Sequence, residues 1–215
     1  VMVVLAASLP TLYSQGNSVK NSFDQRTTSQ QSTVAPAIFR GKPGIKLDGT
    51  DDMLRSVLGA YLTGSSGLMI AALRLTSLAQ VTQALVASAD EATGSYFLSL
   101  TPNRDNLAAD AIGIIQVSND AQDTMVGDLV TQSNVTYVMV WRSTGTAYQL
   151  RVNQRLQTMT VLSGADNGDW FGDTAARDNV ILGALKRNTE AFYLAGYVSL
   201  VLIYEGDPGM GARMK

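Results

Sequence analysis

The side chains that most often carry out chemistry set the first limits on this chain. Its 215 residues include neither histidine nor cysteine. Without imidazole the commonest general base and every triad that runs through it are missing. Without thiols there are no thiolate nucleophiles, disulfides or cysteine metal sites, and the usual zinc ligands are gone with them. Any catalysis must run through carboxylates, Lys or Tyr. The carboxylates gather in two places: Asp48, Asp51 and Asp52 around Gly49 and Thr50, and Asp166, Asp169 and Asp173 in a loop with Asp178 just beyond.

Hard cations favour clustered carboxylates, so both groups are candidate metal sites. In the first, an Asp-Gly pair closes a tight turn, with Gly taking positive φ and Asp bonding its own backbone. Asp48, Gly49, Thr50, Asp51 and Asp52 are therefore expected to form a structural turn with no resident metal. The second group lacks the fixed spacing and closing Glu of an EF-hand. Its readings are a calcium ion held by Asp166, Asp169 and Asp173, or a solvated loop. No other cofactor is implied. Trp170 and Phe171 lie within that loop, an aromatic pair with no strand periodicity to bury it. Together with Asp169 and Asp173 they are candidates for stacking on a sugar ring or inserting into a partner. The alternative is that they fold back as a plug over the end of the fold.

Glycoside hydrolysis needs two carboxyl groups flanking the glycosidic bond, roughly 5 Å apart in a retaining enzyme. The glutamates are Glu91, Glu190 and Glu205, and only Glu205 has a second acid close by at i+2 or i+4, Asp207, which Pro208 follows at a strand end. That arrangement argues against a glycosidase and against an enzyme generally. The glycine-rich stretch 206–211 lacks the Lys-Ser/Thr of a phosphate loop and is expected to be a C-terminal tail.

The elements that must position these residues are strands. Apolar residues make up 46% of the chain and charged residues 16%, enough for one compact core and too few charges for intrinsic disorder. Residues 1–7 are apolar, much shorter than a membrane span, and read as a first strand within a lead-in over 1–13. From 14 to 40 a Ser-, Gln- and Thr-rich segment reads as a long loop or as an arm gripping a neighbouring subunit. Beyond it, alternation at period two recurs over 67–75, 82–88, 96–100, 112–117, 135–142, 148–153, 156–162, 180–185 and 193–204. Turn-forming clusters at 63–67, 89–94, 118–123, 143–145 and 163–178 separate these runs. Short helical turns are expected at 54–62 and 107–111. The alternation places Val138 or Met139, Leu150, Leu182, Leu200 and Leu202 in the core. About a dozen short strands with no strong helix imply an all-β antiparallel two-sheet sandwich.

The segment from Gly41 to Leu54, with its Asp-Gly-Thr-Asp-Asp element, resembles the opening signature of laminin-G-like domains of the concanavalin A-like jelly-roll superfamily, with Leu47 where Phe is usual. The resemblance continues through the hairpin of 135–141 and 148–153, the strand 180–185 and the closing strand 192–204. Residues 6–15 resemble the segment that precedes such domains in bacteriophage virion and bacterial surface proteins. The resemblance implies one jelly-roll domain over 41–205, with a non-enzymatic structural or adhesive role such as a capsid decoration protein. A free carbohydrate-binding lectin is the first alternative and a diverged polysaccharide-degrading enzyme the second.

Expected partners are other virion or surface proteins, a cell-surface glycan and further copies of the chain, at a virion surface or outside the cell. With a net charge of −2 and no Lys/Arg cluster longer than a pair, nucleic acid is not an expected partner. No signal peptide or membrane-spanning segment is visible in the sequence.

Overall fold

The computed structural model describes residues 2–6, 23–24, 32–56, 62–104 and 110–206. The alternating runs become strands β1 (Met2–Ala6), β2 (Phe23–Asp24), β3 (Thr33–Phe39), β4 (Lys42–Asp48), β5 (Leu54–Ser56), β6 (Gly67–Leu75), β7 (Thr82–Gln83), β8 (Val86–Ala89), β9 (Tyr96–Arg104), β10 (Ala111–Ser118), β11 (Ala121–Val130), β12 (Thr136–Ser143), β13 (Tyr148–Val152), β14 (Arg155–Leu156), β15 (Thr160–Ser163), β16 (Val180–Leu182), β17 (Leu185–Lys186), β18 (Glu190–Ala191) and β19 (Ala195–Glu205). One 3-10 turn, Phe171–Asp173, lies between β15 and β16. No helix among the described residues is long and apolar enough to cross a membrane.

The strands pair antiparallel into two large sheets. The first runs β14-β13-β12-β6-β19-β4-β3, with β1 also on β19; the second runs β15-β11-β10-β9-β8-β16-β5-β2, with β7 on β9. Their inner faces share one core. Met69, Leu73, Met139 and Trp141 from the first sheet meet Leu98, Leu100, Ile112, Ile114 and Leu182 from the second. This is the expected two-sheet sandwich, in which alternate residues of each sheet interdigitate.

The second sheet is apolar on its outer face as well. There Ala87, Ala89, Phe97, Ile115 and Val117 form a separate buried cluster under Leu185 and Phe192. Phe192 meets Phe97 edge-on at 6.5 Å, and the Arg187 guanidinium stacks over the Phe97 ring at 5.3 Å. The β17–β18 segment thus roofs this sheet, and β9 and β10 read as nearly continuous buried runs.

Several expectations need correction. The turn expected at 118–123 is only two residues long. Asn119 and Asp120 both take positive φ (50° and 65°), and the chain turns straight back into β11. Such a primed hairpin turn matches the twist of the flanking strands, and Asn and Asp tolerate it. Gly127 and the flanking Asp123 and Asp128 interrupt the alternation of β11, which hid it. The helical turn expected at 54–62 begins as strand β5, and residues 57–61 lie outside the described set. Of the helical turn expected at 107–111, residues 107–109 lie outside it and Ala111 opens β10. The described parts of the 14–40 segment belong to the sandwich: β2 pairs with β5, and β3 pairs with β4. The remainder of 14–31 and the tail from 207 onward lie outside the described residues.

Met139, Leu150 and Leu182 are in the core as expected, whereas Val138 is 46% exposed and Leu200 and Leu202 are only half-buried. The reason lies at Ser199. Val198 pairs with Leu73 and Leu200 with Ala72, so Ser199 is an extra residue in the β19 ladder. A bulge inverts the phase of every later side chain, and Val201 and Ile203 enter the core instead. It sits where the partner along that edge of β19 changes from β4 to β1.

Candidate functional site

The Asp48 element is a turn held by its own carboxylates. Asp48 Oδ1 accepts the backbone N–H groups of Thr50 (2.8 Å), Asp51 (3.3 Å) and Asp52 (3.4 Å), while Asp52 Oδ2 accepts that of Asp48 (2.9 Å). Gly49 takes φ +81°, and a Cβ there would stand 2.7 Å from the Ala195 Cβ, so glycine is required on both counts. Partial burial opposes ionisation of Asp48, but the backbone N–H bonds from Thr50, Asp51 and Asp52 outweigh it and hold its pKa below the usual carboxylate range. Asp52 shifts the other way, through burial and then the adjacent Asp48 charge. Carboxylate oxygens of Asp48, Asp51 and Asp52 lie within 4.8 Å of one another. All four hydrogen bonds serve the hinge that carries the chain from β4 in one sheet to β5 in the other.

The 163–178 loop closes one end of the sandwich, and Trp170 and Phe171 are its plug. Both are fully buried (0% exposed), edge-to-face at 5.1 Å, within the main core. The stacking role considered for this pair is therefore corrected: neither ring reaches a ligand at the surface. Gly67 makes room for the indole, since a Cβ at that position would stand 2.1 Å from Trp170 Nε1.

The acids of the loop act as its fasteners. Asp173 accepts the Trp170 N–H (2.7 Å), Asp166 accepts the Tyr148 N–H (2.9 Å), and Asp123 on β11 accepts the Ala165 N–H (2.8 Å) and the Asn167 side chain (2.9 Å). Asp166, Asp169 and Asp173 do not bring their oxygens within 4.8 Å of one another. Burial, and then the surrounding charges of Asp169, Asp166, Asp173 and Asp123, drive the Tyr148 hydroxyl far above its ordinary pKa, keeping it protonated. The half-buried Asp169 is itself shifted up by burial and by Asp173 and Asp123.

Sequence reasoning missed a groove on the outer face of the first sheet. Its volume is about 690 Å³, and Phe39, Arg40, Ala72, Thr136, Val138, Asn153 and Gln154 line it. The floor is two cross-strand neighbours, Ala72 on β6 and Val138 on β12, with Thr136 beside them. The walls are two hairpin tips. Arg40 and Gly41 join β3 to β4 with φ of 48° and 83°; Asn153 and Gln154 join β13 to β14 with φ of 48° and 72°. Each is a two-residue turn with both central residues in the left-handed region, the geometry that leaves a hairpin tip compact and rigid.

Asn153 is anchored further. Its Oδ1 accepts the Val138 N–H (2.9 Å), and its own N–H donates to the Val138 oxygen (2.8 Å). The exposed Val138 side chain thereby sits at a fixed place against the turn. Among the described residues, no segment comparable to β17–β18 covers the outer face of this sheet. The available signal in the sequence was the pair of two-residue hairpins; what brings their tips to one groove is the order β13-β12-β6-β19-β4-β3 across the sheet.

No protein-family model and no curated protein sequence matches the chain. Solved structures do. The carbohydrate-binding module (CBM40) of the Ruminococcus gnavus IT-sialidase, solved with α2,3-sialyllactose, is 18% identical with a TM-score of 0.60, covering 75% of this chain and 88% of that one. Domain 4 of AbnA, a GH43 extracellular arabinanase from Geobacillus stearothermophilus solved with arabinotriose, is 15% identical with a TM-score of 0.59, covering 81% and 76%. The leech intramolecular trans-sialidase is 17% identical with a TM-score of 0.60, over 78% of this chain and 26% of that one. At these identities the likeness is one of fold: this chain shares the β-sandwich fold of these domains.

Proposed function

We propose that the chain is a non-catalytic glycan-binding module and that the groove between the Phe39–Arg40 and Asn153–Gln154 hairpins is its binding site. The observation that carries this reading is the lining of the groove. An aromatic ring, an apolar floor, a guanidinium, two amides and a hydroxyl surround a space of about 690 Å³. Sugars present C–H faces that pack on apolar and aromatic surface and hydroxyls that need convergent hydrogen-bond partners, and a largely preformed pocket with a few placed polar groups meets both demands. The shared fold with sugar-binding domains supports the reading.

No carboxylate is among the described residues that line the groove, and the chain has no histidine, so a bound sugar would meet no acid–base pair among those residues. The resemblance to phage surface proteins motivates a display role at a virion surface, but none of the three solved structures named above is a virion protein. Immobilised neutral and acidic oligosaccharides, arabinotriose and sialyllactose among them, test the proposal. The chain should bind at least one with Phe39→Ala weakening it, and should release no reducing sugar. Retention of none at millimolar concentration would overturn the reading, and release of sugar ends would overturn its non-catalytic part.

A further inference from the structure

The two faces of the molecule differ in charge, and the difference bears on which sugars the groove would take. Lys42, Lys46, Arg74, Arg142, Arg151 and Arg155 all lie on strands of the first sheet. Its acids are Asp48 and Glu205, each the last residue of its strand and each bound to backbone: Asp48 within its turn, and Glu205 Oε1 to the Gly64 N–H at 2.7 Å. The chain carries a net charge of −2, so this concentration of cations runs against its overall balance.

On the outer face the cations approach the groove in order. Lys46, Tyr197, Arg74 and Thr136 are successive cross-strand partners, and Thr136 lines the groove. Arg74 makes one hydrogen bond, a long one of 3.5 Å from Nη2 to Asn134, and its buried Nε has no partner. Arg40 lines the groove itself, is exposed, and has no hydrogen bond or ion pair among the described residues. The other exposed arginines among the described residues are engaged: Arg55 with Glu91 at 2.7 Å and Arg155 with Asp128 at 2.6 Å.

Resting on the glycan-binding reading, we infer that the ligand is an acidic sugar whose carboxylate is received by Arg40. A guanidinium offers paired N–H donors in the plane that a carboxylate matches, and a surrounding positive field raises the local concentration of anionic ligand. The neutral parts of the sugar would rest on Val138 and Phe39, with hydroxyls toward Asn153, Gln154 and Thr136. A groove closed by hairpin tips at both sides suits one or two sugar rings better than an extended polyanion.

Calorimetry with matched ligand pairs tests this on the whole chain: α2,3-sialyllactose against lactose, and digalacturonate against its neutral disaccharide. The acidic member of at least one pair should bind about tenfold tighter than its neutral partner, and the ratio should shrink in 0.5 M salt. Arg40→Gln should collapse the ratio. Arg55→Gln, which removes the same charge from the opposite sheet, should preserve it.

Equal binding of acidic and neutral members, or an equal loss in Arg55→Gln, would overturn the acidic-sugar inference and leave glycan binding standing. Binding of no glycan at all would overturn both. Heparin or single-stranded DNA binding more tightly than either acidic sugar, with the same Arg40 dependence, would overturn the compact-sugar ligand in favour of a general polyanion surface.

Discussion

The two large sheets turn opposite kinds of outer face to their surroundings. The second sheet buries its outer face under its own chain: Phe97, Ile115 and Val117 pack beneath Leu185 and Phe192, and the Arg187 guanidinium lies over the Phe97 ring. The first sheet leaves Val138 exposed between two rigid hairpin tips and, among the described residues, carries cations where the other carries a roof. On the proposed reading, stability and recognition are separated in space. A face already covered by the chain contributes to folding and is closed to ligands; an uncovered face contributes little to folding, and its residues can be spent on a site.

The largest test of that contrast is Phe97→Ala. Phe97 stands on the outer side of its sheet yet is almost fully buried, and its truncation should cost about 3 to 5 kcal/mol in urea or thermal unfolding. A cost near zero would mean that the β17–β18 segment is no roof. Next comes the hinge between the two faces. Gly49→Val places a β-branched residue at φ +81° with its Cβ against Ala195, and should cost about 2 kcal/mol or more in the same unfolding measurement. Asp48→Asn, which keeps an acceptor, should cost less, about 1 kcal/mol.

Leu200→Ala probes the bulge. A half-buried leucine on the open face should lose only about 1 kcal/mol, against about 2 to 5 kcal/mol for Ile203→Ala in the core. Equal losses would place Leu200 inside after all and remove the phase inversion at Ser199. The smallest effect is expected for Val138→Ala, within about 0.5 kcal/mol of the parent, with any change falling on glycan affinity.

The hinge also has a pH signature. Asp48 has a folded pKa below its ordinary value, so the stability it contributes is present above that ordinary value and is lost as pH falls through the folded one. Asp52 has a raised folded pKa and binds its proton more readily when folded, which adds stability as pH falls through its own value. The two act on opposite sides of the ordinary carboxylate value of about 4. Asp52→Asn should therefore remove the gain that the parent shows as pH falls from about 6 to 4, and an unchanged melting profile over that range would show that Asp52 is not shifted in this way.

Much of the architecture was legible in local pattern because period two is a local property. β6 was bounded from its alternation to the residue, β12 and β13 to within a residue, and the Asp48 turn from its Asp-Gly pair, since both signals depend on neighbours within a few positions. The absence of His and Cys bounded the chemistry for the same reason: it needs no geometry. Other features depend on what meets across space. Leu200 and Val201 carry the same apolar signal, and only the exchange of β4 for β1 along the edge of β19 decides which faces inward. Trp170 and Phe171 lie in a polar loop, yet the open end of a sandwich needs filling, and burying two rings outweighs the local composition. Arg40 and Gln154 are far apart in sequence, and it is the sheet order, set by long-range pairing, that brings their hairpins to the two sides of one groove.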